Sequence, residues 1–150
     1  MILSNTIHPW VAVDVVNHKT LIGIKLMQEF KTRAVEKIFS LLKSKRLDLS
    51  DEKNLQLKLY KLFVEEFNAD NIKREFVLDA QNRLDFMFMG QIGIEVKIKG
   101  NRRQIYEQCV RYCGFDQVKV LIVITNRAMI FPSSINCKDC YVLKLGAAWL

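Results

Sequence analysis

Between Leu84 and Lys99 the chain alternates so strictly that one local arrangement dominates every other. Leu84, Phe86 and Phe88 interleave with Asp85, Met87 and Met89; Ile92, Ile94, Val96 and Ile98 then interleave with Gly93, Glu95, Lys97 and Lys99. A period of two belongs to a β-strand, whose successive side chains point to opposite faces. With Met89-Gly90-Gln91 as a three-residue connection, the two runs close into a hairpin. Phe88 is then expected to face Ile92, Phe86 to face Ile94 and Leu84 to face Val96. In that register Asp85 lies opposite Glu95, with Lys97 beside them. Two carboxylates held that close repel each other and call for a cation between them. Oxygen-only ligands suit Mg2+ or Mn2+, and a lysine at such a site can stabilise charge developing on a phosphate. Charge alternation alone, however, is also what a solvated strand face looks like.

The remainder of the chain places this hairpin in an α/β domain. Residues 10–16 and 20–26 are rich in Val and Ile on either side of Asn17-His18-Lys19, and they read as an N-terminal β-hairpin. Phe30, Ala34, Ile38, Leu41 and Leu42 recur at helical spacing over about 28–45. Ser50 has the character of an N-cap, with Asp51 and Glu52 in the first turn of a second helix. Leu55, Leu59, Leu62, Phe63 and Phe67 mark its buried face. Strands are expected over 75–79, 83–89 and 91–99, a helix over 102–113, and a strand buried on both faces over 118–125. Pro132-Ser133-Ser134 reads as a loop and 141–145 as a last strand. The organisation is thus an extension of residues 1–49, formed of hairpin and helix, followed by a core of residues 50–150.

Composition narrows the partners. Of 150 residues, half are hydrophobic, which excludes a disordered chain. No apolar run approaches the ~20 residues of a membrane span, and Met1 to Pro9 has no basic, apolar leader pattern. A cytoplasmic protein with no membrane partner is the expectation. The formal charge is +7, which favours a polyanionic partner. The excess is unevenly spread: 8 basic against 4 acidic residues over 1–50, 11 against 10 over 51–113, and 4 against 2 over 114–150. The middle third combines dense charge with near neutrality, as a site of carboxylates within a basic surround would.

Asp85, nine intervening residues, and then Glu95-Val96-Lys97 on the adjacent strand resemble the PD-(D/E)XK nuclease superfamily. Its core runs helix, three-strand antiparallel meander, helix, strand, the order read here from Ser50 to Thr125. Gln108-Cys109-Val110-Arg111-Tyr112 is similar to the Gln-x-x-x-Tyr motif of its recombination-exonuclease branch, found also in phage and bacterial nucleases. Leu84 stands where the family's name-giving proline would be. The resemblance covers about two thirds of the chain. It implies a restriction-endonuclease-like core that hydrolyses DNA phosphodiesters with Mg2+ or Mn2+, RNA remaining open as a substrate. Asp85, Glu95 and the Val96 carbonyl are implied as metal ligands. Glu52 joins them in preference to Glu65 or Glu66, with Gln56 its neighbour one turn on. Lys97 is implied to position the attacking water. Gln108 and Tyr112, on one helix face by their i, i+4 spacing, are implied to contact the substrate backbone and steady the site. A homodimer built on the extension is a further expectation. The alternatives are a nucleic-acid-binding or structural module on the same fold without cleavage, and a protein-interaction partner in a larger assembly.

Lys97, Lys99, Arg102 and Arg103 fall within seven residues, and Arg111 lies on the helix beside Tyr112. Such a cluster supplies salt-sensitive phosphate contacts without base readout. Cys109 and Cys113, with Cys137 and Cys140, make two pairs. Buried reduced thiols are favoured over a structural zinc site.

Overall fold

The computed structural model describes residues 10–146, with side chains from residue 20 onward. Residues 1–9 and 147–150, among them His8 and the stretch lacking a leader pattern, lie outside the described residues. The chain divides into two compact units, 1–38 and 39–150.

The N-terminal hairpin expected over 10–26 is not formed. A single helix, α1, runs from Trp10 to Lys43. Asn17-His18-Lys19 contains no glycine or proline and no pair suited to a tight reversal. Between Trp10 and Lys43 there is one glycine, Gly23, and no proline, so nothing stops a helix once started. The Val and Ile residues express a preference for a pleated, half-buried surface, and that preference yields where no such surface is offered. Leu21, Ile24 and Leu26 are correspondingly exposed.

In the second unit α2 spans Glu52–Phe67 and buries Leu55, Leu59, Leu62 and Phe63. Its N-cap is Asp51 rather than Ser50: the Asp51 carboxylate accepts the Asn54 N–H at 3.0 Å. Six strands follow: β1 (Ile72–Val77), β2 (Arg83–Phe88), β3 (Ile92–Lys97), β4 (Val120–Thr125), β5 (Ser134–Ile135) and β6 (Lys138–Lys144). The helix α3 (Arg102–Tyr112) stands between β3 and β4. Relative to the sequence expectation, β1 begins three residues earlier, β5 occupies part of the Pro132–Ser134 loop, and β6 starts at Lys138 instead of Tyr141. The strands form one mixed sheet in the order β1-β2-β3-β4-β6-β5. β1, β2 and β3 are antiparallel neighbours; β3, β4 and β6 are parallel; β5 pairs antiparallel on the outer edge. Among the described residues the fold is therefore mixed α/β, with three α-helices and a six-stranded sheet. No described helix is long and apolar enough to cross a membrane.

Each helix of this unit covers one sheet face. Phe63 and Phe67 of α2 meet Phe86 and Phe88 edge-on, with centroids 5.5 and 5.0 Å apart for the two cross-element pairs. Ile105, Cys109 and Tyr112 of α3 pack with Met87, Leu121 and Val123 on the opposite face. All six residues of β4 are buried, as expected of a strand covered on both faces.

The β2–β3 register is the expected one where it is paired: Phe86 faces Ile94 and Phe88 faces Ile92. Met89 (φ 49°) and Gly90 (φ 66°) both turn left-handed, and the Gln91 N–H closes onto the Phe88 carbonyl at 3.1 Å. The pairing expected of Leu84 with Val96 is not made. Glu75 has a φ of 50° and is absent with Asp85 from the β1–β2 ladder. Past that kink Phe76 and Leu84 turn to the α3 side of the sheet. Leu84 fills the space above Gly93, where an added Cβ would come within 2.9 Å of its Cδ1.

Candidate active site

The kink at Glu75 and Asp85 matters because it ends the β2–β3 ladder one residue short of the acids. Val96 consequently needs an acceptor for its N–H, since a buried unpaired amide is costly. The Asp85 carboxylate supplies it: Val96 N donates to Asp85 Oδ2 at 2.7 Å. Gln56 Nε2, from α2, donates to the other oxygen, Oδ1, at 2.9 Å. Glu95 is 2% exposed, and its Oε2 lies 3.4 Å from the Asp85 amide nitrogen. Lys97 Nζ sits 2.9 Å from Glu95 Oε1. One turn before Gln56, Glu52 accepts the Ile98 N–H at 3.0 Å. The C-terminal end of β3 is thus bracketed by Asp85 and Glu52, one from the neighbouring strand and one from α2.

Electrostatics sets the character of this cluster. Burial pushes the Asp85 carboxyl up to about 6, against the Val96 N–H and Lys97, which favour its charged form; Glu52 adds to the rise. Burial, and then the Asp85 charge, push Glu95 up to about 7, with Lys97 opposing. For Lys97, burial alone would lower the pKa; Glu95 and then Asp85 outweigh it and hold the ammonium above its usual value. One ammonium therefore does not satisfy the two buried acids. Added positive charge at this cluster would relieve what Lys97 alone leaves uncompensated.

The helix residues are placed as follows. Tyr112 is buried, and its hydroxyl donates to the Arg83 carbonyl at 2.7 Å. Gln108 Nε2 donates to that same hydroxyl oxygen. Burial and the Glu95 charge raise the Tyr112 pKa, so the phenol stays protonated and available as a donor. Together the pair ties α3 to the backbone two residues before Asp85. Arg111 is exposed with Nε 3.4 Å from Asn82 Oδ1. Arg103 is exposed and pairs with Glu107 at 2.8 Å, while Lys99 and Arg102 are exposed at the β3–α3 junction. Glu65 and Glu66 lie at the opposite end of α2 from Glu52.

The structure also brings in residues with no sequence signal of their own. Arg127 Nε donates to the Ile98 carbonyl at 3.3 Å, so the Ile98 peptide bridges Glu52 on its amide side and Arg127 on its carbonyl side. Asn126 carries a buried amide oxygen with no hydrogen-bond partner among the described residues. Cys113 and Cys140 lie 3.6 Å apart at sulfur, both buried, and Cys137 is exposed. Among the described residues no three His, Cys, Asp or Glu side chains form a ready-made metal-holding group. Comparison of the chain with protein-family models, with characterised proteins and with solved structures returns no significant match.

Proposed function

We propose that this protein is a divalent-metal-dependent nuclease of the PD-(D/E)XK type, acting on DNA phosphodiester bonds. The observation that carries the reading is the convergence of Asp85, Glu95, Lys97 and Glu52 around the Val96–Ile98 backbone. The helix, three strands, helix and strand from Glu52 to Thr125 have the order of that superfamily's core. Asp85, Glu95 and the Val96 carbonyl are the groups that would hold Mg2+ or Mn2+, with Glu52 completing the set. The ion would polarise the scissile phosphate and lower the pKa of the attacking water. Lys97 orients that water and compensates charge on the phosphate as it is attacked. The bonds from Tyr112 and Gln108 make them positioning residues for β2, and through it for Asp85. Lys99, Arg102, Arg103 and Arg111 supply phosphate contacts around the acids.

A non-cleaving nucleic-acid-binding module is the second reading. It is favoured by one observation: both Asp85 oxygens already accept hydrogen bonds, from Val96 and Gln56. The test is a panel of linear duplex, single strand, flap, nick and four-way junction incubated with Mn2+. The nuclease reading expects cleavage by the parent and a loss of at least ~100-fold in Lys97→Ala, the scale of one well-placed catalytic group. Binding without cleavage across the panel selects the second reading. Unchanged cleavage by both Lys97→Ala and Asp85→Ala removes the site assignment.

A further inference from the structure

Beside the acid cluster, on the same sheet face, lies a cavity of about 430 Å3 whose lining includes Arg102, Arg127, Met129, Ile130, Val142 and Lys144. Its position relative to the acids follows from the parallel register. Glu95 pairs with Val123, which pairs with Val142; Lys97 pairs with Thr125, which pairs with Lys144. Residues in one row of a sheet share a face, so Val142 and Lys144 emerge on the face that carries Glu95 and Lys97. Two strand spacings separate β3 from β6, about 10 Å. The cavity also opens at the C-terminal ends of parallel strands, where open α/β sheets bind ligands.

The lining has a definite chemistry. It holds three cations and no acid, and among the described residues none of Arg102, Arg127 or Lys144 is in an ion pair. Arg127 is oriented by its Nε bond to the Ile98 carbonyl. Met129, Ile130 and Val142 supply apolar surface, and Ile130 is fully exposed at the rim. The volume lies within the range of small-ligand sites. Cations on one side and apolar side chains on the other match the two halves of a nucleotide, an anionic phosphate and the flat face of a base. A base can enter a concave site of this kind only when it is unpaired, because in a duplex its faces are already stacked.

We infer that this cavity binds an unpaired nucleotide of the nucleic-acid strand, next to the phosphate that would be cleaved at Asp85, Glu95 and Lys97. The inference rests on the nuclease reading for its placement and gives that reading a substrate class: single strands, or duplexes with unpaired ends. Arg127 and Lys144 hold the phosphate, and Ile130 covers the base.

The test separates the cavity from the chemistry. Binding of fluorescein-labelled dT8, U8 and a blunt eight-base-pair duplex to the full chain is measured by anisotropy in EDTA, across a salt series. The variants are Ile130→Asp and Lys144→Gln, both at exposed positions, with Arg127→Ala as a third. Ile130→Asp is expected to weaken dT8 at least fivefold while changing duplex binding less than twofold. Lys144→Gln is expected to weaken dT8 and to shorten its log–log salt slope by about 0.7, the value for one single-strand phosphate contact. Comparable losses for U8 show that neither the deoxyribose nor the thymine methyl is needed; a loss confined to dT8 narrows the ligand to strands carrying one or both. The inference is overturned if Ile130→Asp and Lys144→Gln bind dT8 like the parent, or if Ile130→Asp weakens duplex and single strand equally. If these binding losses appear but the parent cuts nothing with Mn2+, the nucleotide site stands and the nuclease reading falls. If the parent cuts and the variants bind dT8 unchanged, the reverse holds.

Discussion

Replacing Glu95 by Gln should stabilise the protein in EDTA at pH 8 while removing the proposed cleavage activity. Glu95 is 2% exposed, and burial together with the Asp85 charge moves its carboxyl from 4.5 to about 7. A raised carboxyl means that the folded state binds the proton more tightly than the unfolded chain does. Its contribution is therefore fully favourable below about pH 4.5 and is lost as pH rises through 7. At about 1.4 kcal/mol per pH unit, a shift of this size costs on the order of 3 kcal/mol once the group is charged. Gln keeps the shape and an acceptor oxygen for Lys97, but its NH2 group then faces the Asp85 N–H that Glu95 Oε2 approaches at 3.4 Å, which returns roughly 1 kcal/mol of that gain. The net expectation is a variant about 2 kcal/mol more stable at pH 8, or about 4–8 °C in Tm for a chain of this length. Near pH 5 the folded parent carries a neutral Glu95, as the variant carries a neutral Gln, and most of the difference is gone. Urea or thermal unfolding in EDTA at pH 5, 6, 7 and 8 reads it directly. Comparing variant with parent cancels the histidines and the carboxylates that titrate outside the pair. A variant that is no more stable than the parent at pH 8, or a gap that does not shrink toward pH 5, would refute the burial argument.

Four further expectations concern the metal, two neighbouring contacts and the cysteines. Adding Mn2+ at pH 7.5 should raise the parent Tm, by about 2.7 kcal/mol equivalent at a hundredfold excess over Kd, and leave Asp85→Asn unmoved; equal shifts in both would place the ion elsewhere. Tyr112→Phe removes a buried hydroxyl bonded to the Arg83 carbonyl, at a cost of about 1–2 kcal/mol in a denaturation midpoint, and Gln108→Leu added to it should cost less than it does alone, because the two share one network. Gly93→Ala, with its new Cβ 2.9 Å from Leu84 Cδ1, should destabilise by about 1–2 kcal/mol, and Leu84→Val in the same chain should recover part of that loss. Thiol titration with a disulfide reagent should find one rapidly reacting group, Cys137, with Cys109, Cys113 and Cys140 reacting only on unfolding; rapid reaction of all four would contradict the burial of the other three.

The hairpin from Phe86 to Ile94 could be read in advance because its faces are fixed by period two and its turn by Gly90. The same reasoning failed for 10–26, where β-branched residues recur without turn residues and a helix forms instead. It also missed the kink at Glu75 and Asp85. Left-handed backbone is ordinarily announced by glycine or asparagine, and here a glutamate adopts it. Without that kink Asp85 would be one more residue facing Glu95; with it, the carboxylate replaces a ladder carbonyl and binds the Val96 amide. Gln56 stood out only as a same-face neighbour of Glu52, and the structure makes it a direct partner of Asp85. Arg127 and Lys144 were invisible for a different reason. Their proximity to Lys97 depends on a row running across three parallel strands, and no spacing along one chain encodes such a row.

The central position of β4 also bears on how the chain reaches its native state. The segment from β1 to β3 pairs locally and can form as soon as it leaves the ribosome. Val120–Thr125 is an uncharged six-residue strand of high β-propensity, and its second neighbour, β6, is the last strand of the described chain. Until Lys138–Lys144 has emerged, β4 remains an open, apolar edge of the kind that recruits other chains. A chain interrupted before β6 would carry the complete acid cluster and still expose this edge, so truncation there should favour aggregation without removing any residue of the cluster.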